Sequence, residues 1–187
     1  MRTEIKEAAR VIRQGGVILC PTETICGFSC DARNEEAIKR IFEIKKRPES
    51  KSLLCLFSSD AMINRHFQDV PEAAWELMEL ATTPTTVILN NPIGLAPNIA
   101  APDNSLAIRW VKSGSAYELI KQVNVPLVST SVNLSGESPF LTTKGVPGYI
   151  KDQVDFVLTE EEGEFGTGIP SSIIRILPGG EFKIIRK

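Results

Sequence analysis

The first half of the chain alternates between helical and extended patterns of apolar residues. Residues 3–14 carry apolar side chains at helical spacing, and residues 16–20 form a short apolar run that is typical of a buried strand. Asn34 is placed to cap a second helix, which Pro48 ends. The same patterns predict helices at 71–80 and 117–123, and strands at 52–57, 85–89, 106–111, 126–130, 155–158, 173–177 and 182–185.

Alternating helices and strands, followed by a strand-rich C-terminal third, predict an α/β fold with a twisted mixed sheet and flanking helices. The chain has no repeat and no linker-like stretch, so residues 1–187 are expected to form a single domain. Pro178-Gly179-Gly180 is a hairpin signal between the last two strands. In the helix at 71–80, Trp75 and Leu77 are expected to face inward.

The charge is unevenly distributed along the chain. The 187 residues have a net charge of −2, which argues against a protein that coats nucleic acid or anionic lipid. Residues 39–51, however, hold six basic residues against two acidic ones, with Lys45, Lys46 and Arg47 expected in the last turn of the second helix. This basic segment suggests a local anion site. Residues 152–164 hold six acids and no base, and are expected to be a solvated loop with strand edges.

Several kinds of site are excluded by the residues that the chain lacks. It has neither a P-loop nor a dinucleotide-binding glycine motif, and its four cysteines form no CxxC pair, so no metal site is expected. His66 is the only histidine, so catalysis is expected to rest on positioning and charge stabilisation. The N-terminus lacks a signal-peptide pattern and no run is long enough to span a membrane, which predicts a cytoplasmic protein with reduced thiols.

Four segments place polar residues at strand ends or inside apolar runs. The loop 21–27, rich in hydroxyls, is either a ligand wall or an ordinary polar turn. Residues 45–51 are either a solvated helix end or a polyphosphate grip. Residues 129–136 follow a buried strand and either face a crevice or form a self-satisfied turn. Arg109 lies in an apolar strand, so it needs an anionic partner, either a structural carboxylate or a substrate carboxylate.

Taken together, these motifs resemble the signature of the Sua5/YrdC/TsaC family. The resemblance rests on Pro21-Thr22-Glu23-Thr24 after an apolar strand, on Lys45-x-Arg47 and on Ser131-x-Asn133, and it runs from about Ile12 to the C-terminus. It implies the short, single-domain form of a threonylcarbamoyl-AMP synthase, a nucleotidyltransferase with a concave basic cleft. Such an enzyme converts L-threonine, bicarbonate and ATP, with Mg²⁺ on the nucleotide, into threonylcarbamoyl-AMP and pyrophosphate.

The resemblance also implies roles for individual residues and partners. Lys45, Arg47, Ser131 and Asn133 would be catalytic, with pyrophosphate departure stabilised by Arg47, Lys51 and Mg²⁺. Threonine would be held by Thr22, Arg109, Ser131 and Ser171, and ATP by Arg47, Lys51, Ser105, Asn133, Thr142 and Arg186. The product would pass to a threonylcarbamoyl transferase complex that modifies tRNA to N6-threonylcarbamoyladenosine, and direct RNA binding would be weak.

Two other functions are compatible with the sequence. Cys26 replaces a common family tyrosine, and Thr82-Thr83-Pro84 replaces a usual Pro-Gly-Pro, which keeps open a YciO-like or carbamoyl-adenylating paralogue of the same fold. The basic segment also allows a double-stranded RNA-binding module, although the net charge of −2 argues against it.

Overall fold

The computed structural model describes residues 3–46, 53–133, 138–161, 164, 166–177 and 181–187. Six α-helices are present in these ranges: α1 (Thr3–Arg13), α2 (Glu35–Lys45), α3 (Asp60–His66), α4 (Glu72–Leu80), α5 (Gly114–Val123) and α6 (Gly148–Lys151). The strands are β1 (Ile18–Cys20), β2 (Gly27–Ser29), β3 (Leu54–Phe57), β4 (Thr85–Asn90), β5 (Ser105–Trp110), β6 (Leu127–Ser131), β7 (Phe156–Val157), β8 (Ser172–Ile176) and β9 (Phe182–Arg186). No helix in these ranges combines the length and hydropathy that crossing a bilayer requires.

All nine strands join one mixed sheet in the order β7-β1-β2-β6-β3-β5-β4-β8-β9. The pairs β1–β7, β3–β5 and β4–β8 are parallel, and the other five neighbouring pairs are antiparallel. The described residues therefore form one α/β domain, as the sequence predicts. The hairpin of β8 and β9 is also confirmed, while its turn at 178–180 lies outside the described residues.

Helix α2 begins where the sequence predicts and ends earlier. The Asn34 side chain accepts a hydrogen bond from the Ala37 backbone N–H at 3.0 Å, which caps the first turn. Lys46 adopts a left-handed conformation with φ 48°, so the helix stops at Lys45. The prediction that Lys46 lies in the last turn is wrong, and Arg47 and Pro48 lie outside the described residues.

Helix α4 packs against the core with more residues than expected. Trp75 and Leu77 contact the core as predicted but are only half-buried, and the fully buried residues of the helix are Ala74 and Met78. Trp75 packs edge-on against Trp110 of β5, with ring centroids 6.2 Å apart. Trp75 and Leu77 therefore cover the edge of the contact between α4 and the core. Ala74 and Met78 fill the space between the helix and the core. Strand β2 and helices α3 and α6 have no counterpart among the predicted elements.

The acidic segment at 152–164 ties several elements together. Asp155 accepts a hydrogen bond from the Val17 N–H at 2.8 Å and pairs with Arg40 of α2 at 2.5 Å. Both carboxylate oxygens of Glu160 accept hydrogen bonds from Thr143. These carboxylates satisfy backbone and side-chain donors, so the expectation of a simply solvated loop is wrong for them.

Candidate functional site

One cavity gathers many of the polar side chains singled out by the sequence. It has a volume of about 450 Å³ and is lined by the loop that follows β1, by β4, β5 and β6, and by the segments around β8 and β9. Side chains alternate along strands, so Thr86 and Ile88 of β4, Ala107 and Arg109 of β5, and Ser129 and Ser131 of β6 share one face. Five of the predicted site residues line it: Thr22, Arg109, Ser131, Ser171 and Arg186.

Arg109 is the central charge of this cavity. It is 3% exposed, and Glu23 Oε1 lies 3.2 Å from its Nε in an ion pair that lacks hydrogen-bond alignment. Its Nη1 donates to Thr24 Oγ1 at 3.3 Å. Burial lowers the pKa of Arg109, the charge of Glu23 opposes this effect, and the charge of Arg186 lowers the pKa further. Within the described residues, the guanidinium therefore has donors left for a further acceptor.

Hydroxyl groups surround this guanidinium. Thr22 and Thr24 are both buried, their oxygens lie 3.0 Å apart, and Thr22 Oγ1 donates to the Ile25 carbonyl at 2.6 Å. The predicted ligand wall in this loop therefore lines the cavity through Thr22. Thr24, which the sequence analysis did not single out as a site residue, contacts Arg109 directly.

A second group of polar contacts lies at β4, β8 and β9. The hydroxyls of Thr86 and Ser171 lie 2.8 Å apart and are both buried. Arg186 donates from Nε and Nη2 to the Ser171 carbonyl, at 3.0 and 2.8 Å. Burial lowers the pKa of Arg186, the second arginine of the cavity. Two cations and several hydroxyls therefore line the same cavity.

Lys45 lies in a different setting from the one predicted. It is 2% exposed, and its ammonium donates to the carbonyls of Ser131 and Asn133 and, at 3.0 Å, to Asn133 Oδ1. Ser131 Oγ also donates to Asn133 Oδ1. The alternative of a solvated helix end is therefore wrong for Lys45, because its charge is held by backbone and side-chain oxygens. Its catalytic role stays a prediction. Lys45 fixes the segment that carries Ser131 into the cavity.

Two further predicted residues, Ser105 and Thr142, do not line the cavity. Ser105 is buried at the far end of β5 and donates to Asp103 Oδ1 at 2.6 Å. Thr142 Oγ1 accepts from the Gly145 N–H at 3.3 Å, in the loop before α6. Arg47 and Lys51 lie outside the described residues, so their predicted contacts with ATP stay predictions.

Cysteine and histidine chemistry is absent from the described part of this site. Cys26 lines the cavity, but its Sγ is hydrogen-bonded to the Phe140 carbonyl at 3.2 Å, and burial raises its pKa to about 12. His66 ends α3, and its Nδ1 lies 2.8 Å from the Ile93 carbonyl, a structural contact. No group of acidic, cysteine or histidine side chains in the described ranges could hold a metal ion.

Two glycines allow the backbone to approach closely around the site. A Cβ at Gly27 would lie 3.0 Å from Ser129 Oγ on the neighbouring strand segment. A Cβ at Gly166 would lie 2.2 Å from the Thr24 carbonyl oxygen, which no side chain permits. The backbone of 166–168 therefore lies directly against the loop that carries Thr22 and Thr24, and Thr167 N and Gly168 N donate to the Glu23 and Thr24 carbonyls.

Comparisons with known proteins agree with this fold. The family model for Sua5, YciO and YrdC, described as telomere recombination, matches residues 10–187. The Threonylcarbamoyl-AMP synthase of Pseudomonas aeruginosa (strain UCBPP-PA14) is 33% identical over 177 residues, which cover 93% of this chain and 92% of that protein.

Two solved structures show the same fold. The structure of P. abyssi Sua5 complexed with L-threonine superposes with a TM-score of 0.86 at 26% identity, over 97% of this chain and 53% of the Sua5 chain. This chain thus spans about half the length of that protein. E. coli YciO superposes with a TM-score of 0.81 at 23% identity, over 98% of this chain and 88% of YciO, a likeness of fold alone.

Proposed function

The chain belongs to the Sua5/YciO/YrdC family, and we propose that it is a threonylcarbamoyl-AMP synthase, a nucleotidyltransferase that joins L-threonine, bicarbonate and ATP. The observation that carries this proposal is Arg109, a buried guanidinium in a cavity lined by hydroxyls. A buried arginine needs an anionic partner, and Glu23 supplies only an unaligned, partly exposed one. The carboxylate of an amino acid is a group that would complete its hydrogen bonds.

The cavity also suits the other parts of threonine. Thr22, Ser131 and Ser171 line the same cavity as Arg109. These groups can hydrogen-bond the amine and hydroxyl of the substrate while Arg109 holds its carboxylate. Recognition of threonine by this chain is supported further by the name and the bound ligand of the relatives described above.

The reaction that we propose needs positioning and charge neutralisation. The threonine amine attacks the carbon of bicarbonate, water leaves, and an N-carboxylate of threonine forms. An oxygen of this carbamate then attacks the α-phosphorus of ATP, and pyrophosphate departs. Binding threonine and bicarbonate side by side lowers the barrier of the first step through proximity. Cations facing the phosphates stabilise the charge that develops in the second step.

Nucleotide binding is assigned to residues at the margin of the cavity. Arg186 and Asn133 would contact ATP, and Arg47 and Lys51 would contact its phosphates, as the family resemblance implies. Ser105 and Thr142 would take part if the nucleotide extends beyond the cavity along β5 and toward α6. The described residues hold no acidic cluster for Mg²⁺, so the ion would arrive as the counter-ion of ATP and we assign no step to it.

The product of this reaction would be threonylcarbamoyl-AMP, a mixed anhydride for transfer to tRNA. A threonylcarbamoyl transferase complex would consume it to make N6-threonylcarbamoyladenosine.

Pyrophosphate release tests the proposal. The purified chain is incubated with ATP, bicarbonate and L-threonine, and release is expected only when all three are present. Glycine in place of threonine serves as the control for the amino acid. Release that does not depend on threonine would overturn the proposal and would favour the carbamoyl-adenylating alternative.

A further inference from the structure

Glu23 contacts Arg109 but does not line the 450 Å³ cavity. Arg109 borders both the 450 Å³ cavity and a second hollow of about 370 Å³, and Glu23 lines only the second. The carboxylate of Glu23 therefore reaches the guanidinium at Nε, while Thr24 receives a hydrogen bond from Nη1. Glu23 thus contacts Arg109 at Nε without lining the cavity that Thr22 and Ser171 line.

The backbone around Glu23 is held in place independently of its side chain. The Glu23 carbonyl accepts from Thr167 N at 3.1 Å, and the Thr24 carbonyl accepts from Gly168 N at 2.9 Å. The loop is thus fixed to the segment 166–168, and the Glu23 carboxylate is presented to Arg109 from a defined position. The side chain of Glu23 is 34% exposed, so its charge is partly hydrated, whereas the side chain of Arg109 is only 3% exposed.

The electrostatic setting makes Glu23 the compensating charge for Arg109. Among the described residues, Arg186 lines the same cavity and its positive charge acts against the charged form of Arg109. Two guanidinium groups in one cavity are unfavourable unless a carboxylate balances them.

We infer that Glu23 is a positioning residue for substrate recognition, which holds the Arg109 guanidinium directed at the ligand carboxylate. This inference rests on the proposed function, because it takes the carboxylate of L-threonine as the group that Arg109 binds. It makes the affinity for that carboxylate depend on a side chain that the substrate does not touch. The affinity for the nucleotide does not depend on it.

The test measures binding of two ligands that differ only in the group that Arg109 would hold. Binding of L-threonine and of L-threoninamide, which lacks the carboxylate charge, is measured by NMR titration for the wild type and for Glu23→Gln. The Kd for L-threonine is expected to rise about tenfold in the variant, the scale of coupling between groups in contact. The Kd for L-threoninamide is expected to change less than about twofold, because this ligand has no carboxylate that Arg109 could bind.

Two further variants separate the effect of the Glu23 charge from an effect of the substitution on folding. Glu118→Gln removes an exposed carboxylate from an ion pair with Lys121 on α5 and is expected to leave both affinities unchanged. Glu23→Asp keeps the charge and is expected to recover most of the affinity for threonine, which also keeps the test readable if Glu23→Gln folds poorly.

The outcomes distinguish the inference from the function on which it rests. If Glu23→Gln weakens both ligands equally, or leaves threonine binding unchanged or tighter, the positioning role is overturned while the synthase proposal stands. An Asp variant as weak as the Gln variant overturns it as well. A wild-type chain that does not bind L-threonine overturns both.

Discussion

The ammonium of Lys45 lies 3.0 Å from the side-chain oxygen of Asn133, which is 88 residues further along the chain. The same ammonium donates to the backbone carbonyls of Ser131 and Asn133, so the end of α2 is tied to the end of β6. Lys45, from one of the two motifs that carry the family resemblance, is thereby hydrogen-bonded to Ser131 and Asn133, which form the other.

Lys45→Met is expected to lower stability and synthase activity together. Methionine fills a similar volume but leaves two carbonyls without this donor, at a cost of about 1–3 kcal/mol in the free energy of unfolding. Ser131 and Asn133 then lose their fixed position, so pyrophosphate release should fall as well. Urea unfolding and the pyrophosphate assay measure the two effects.

Lys39→Met is the control, since Lys39 is an exposed residue of the same helix. It should leave both quantities within error of the wild type. A Lys45 variant with full stability and a selective loss of ATP affinity would mean that Lys45 contacts the nucleotide directly.

Arg109→Lys is expected to raise the KM for L-threonine at least about tenfold and to change the KM for ATP little. Lysine keeps the charge but lacks the planar fork that binds a carboxylate with two parallel hydrogen bonds. Steady-state pyrophosphate release at varied threonine and varied ATP separates the two effects. Arg175→Lys provides the comparison, because Arg175 pairs with Asp103 outside the cavity. Equal effects of Arg109→Lys on both substrates would show that Arg109 is structural.

Gly166→Ala is expected to disrupt the site through the backbone. The added Cβ would lie 2.2 Å from the Thr24 carbonyl oxygen, so the loop that carries Thr22 and Thr24 must move. Strain of this kind costs about 1–3 kcal/mol, and threonine-dependent activity should fall with it. Gly148→Ala meets nothing within 4 Å and should be neutral or slightly stabilising. Retained activity in Gly166→Ala would show that this contact does not hold the loop.

Cys26 is expected to resist alkylation in the native protein at pH 8. Burial, assisted by the negative charge of Glu160, raises its pKa to about 12, so the reactive thiolate is scarce. Mass spectrometry after iodoacetamide treatment, before and after unfolding in urea, should show modification of Cys26 only in the unfolded chain. Rapid labelling of the native protein would contradict this.

The raised pKa of Cys26 also makes the stability of the protein depend on pH in the alkaline range. The unfolded chain loses the Cys26 proton near the ordinary value of 9.0, while the native chain keeps it up to about 12. The contribution of Cys26 to stability is therefore fully present below pH 9 and declines as the pH rises above it. Urea unfolding at pH 8 and pH 10 should show a smaller loss for Cys26→Ala than for the wild type.

Local sequence patterns predict most of the helices and strands, because capping hydrogen bonds and the spacing of apolar residues act between residues that are close in sequence. Asn34 caps α2 through a hydrogen bond three residues away, and apolar runs bounded by proline or glycine identify most of the strands. Arg109 was recognisable because a charged residue inside an apolar strand requires a partner wherever the strand packs. Its burial in the cavity confirms that reasoning.

Other features depend on contacts between distant parts of the chain. A lysine at a helix end is usually solvated, and only the arrival of Ser131 and Asn133 makes Lys45 a buried donor. Strand β2 has three residues and lacks any periodic signal, so it becomes a strand through pairing with β1 and β6. Gly166 gives no hint in sequence of the Thr24 carbonyl that it must accommodate.

The cavity draws its walls from eight stretches of chain that begin at Thr22 and end at Arg186. Nearly every wall belongs to a different strand or to the loop beside it, so no fragment of the fold contains a partial version of the site. Recognition is therefore linked to the cooperative folding of the whole sheet. A ligand that bridges Arg109 and Arg186 would raise the unfolding temperature of the entire domain, and any local opening of the sheet would release it.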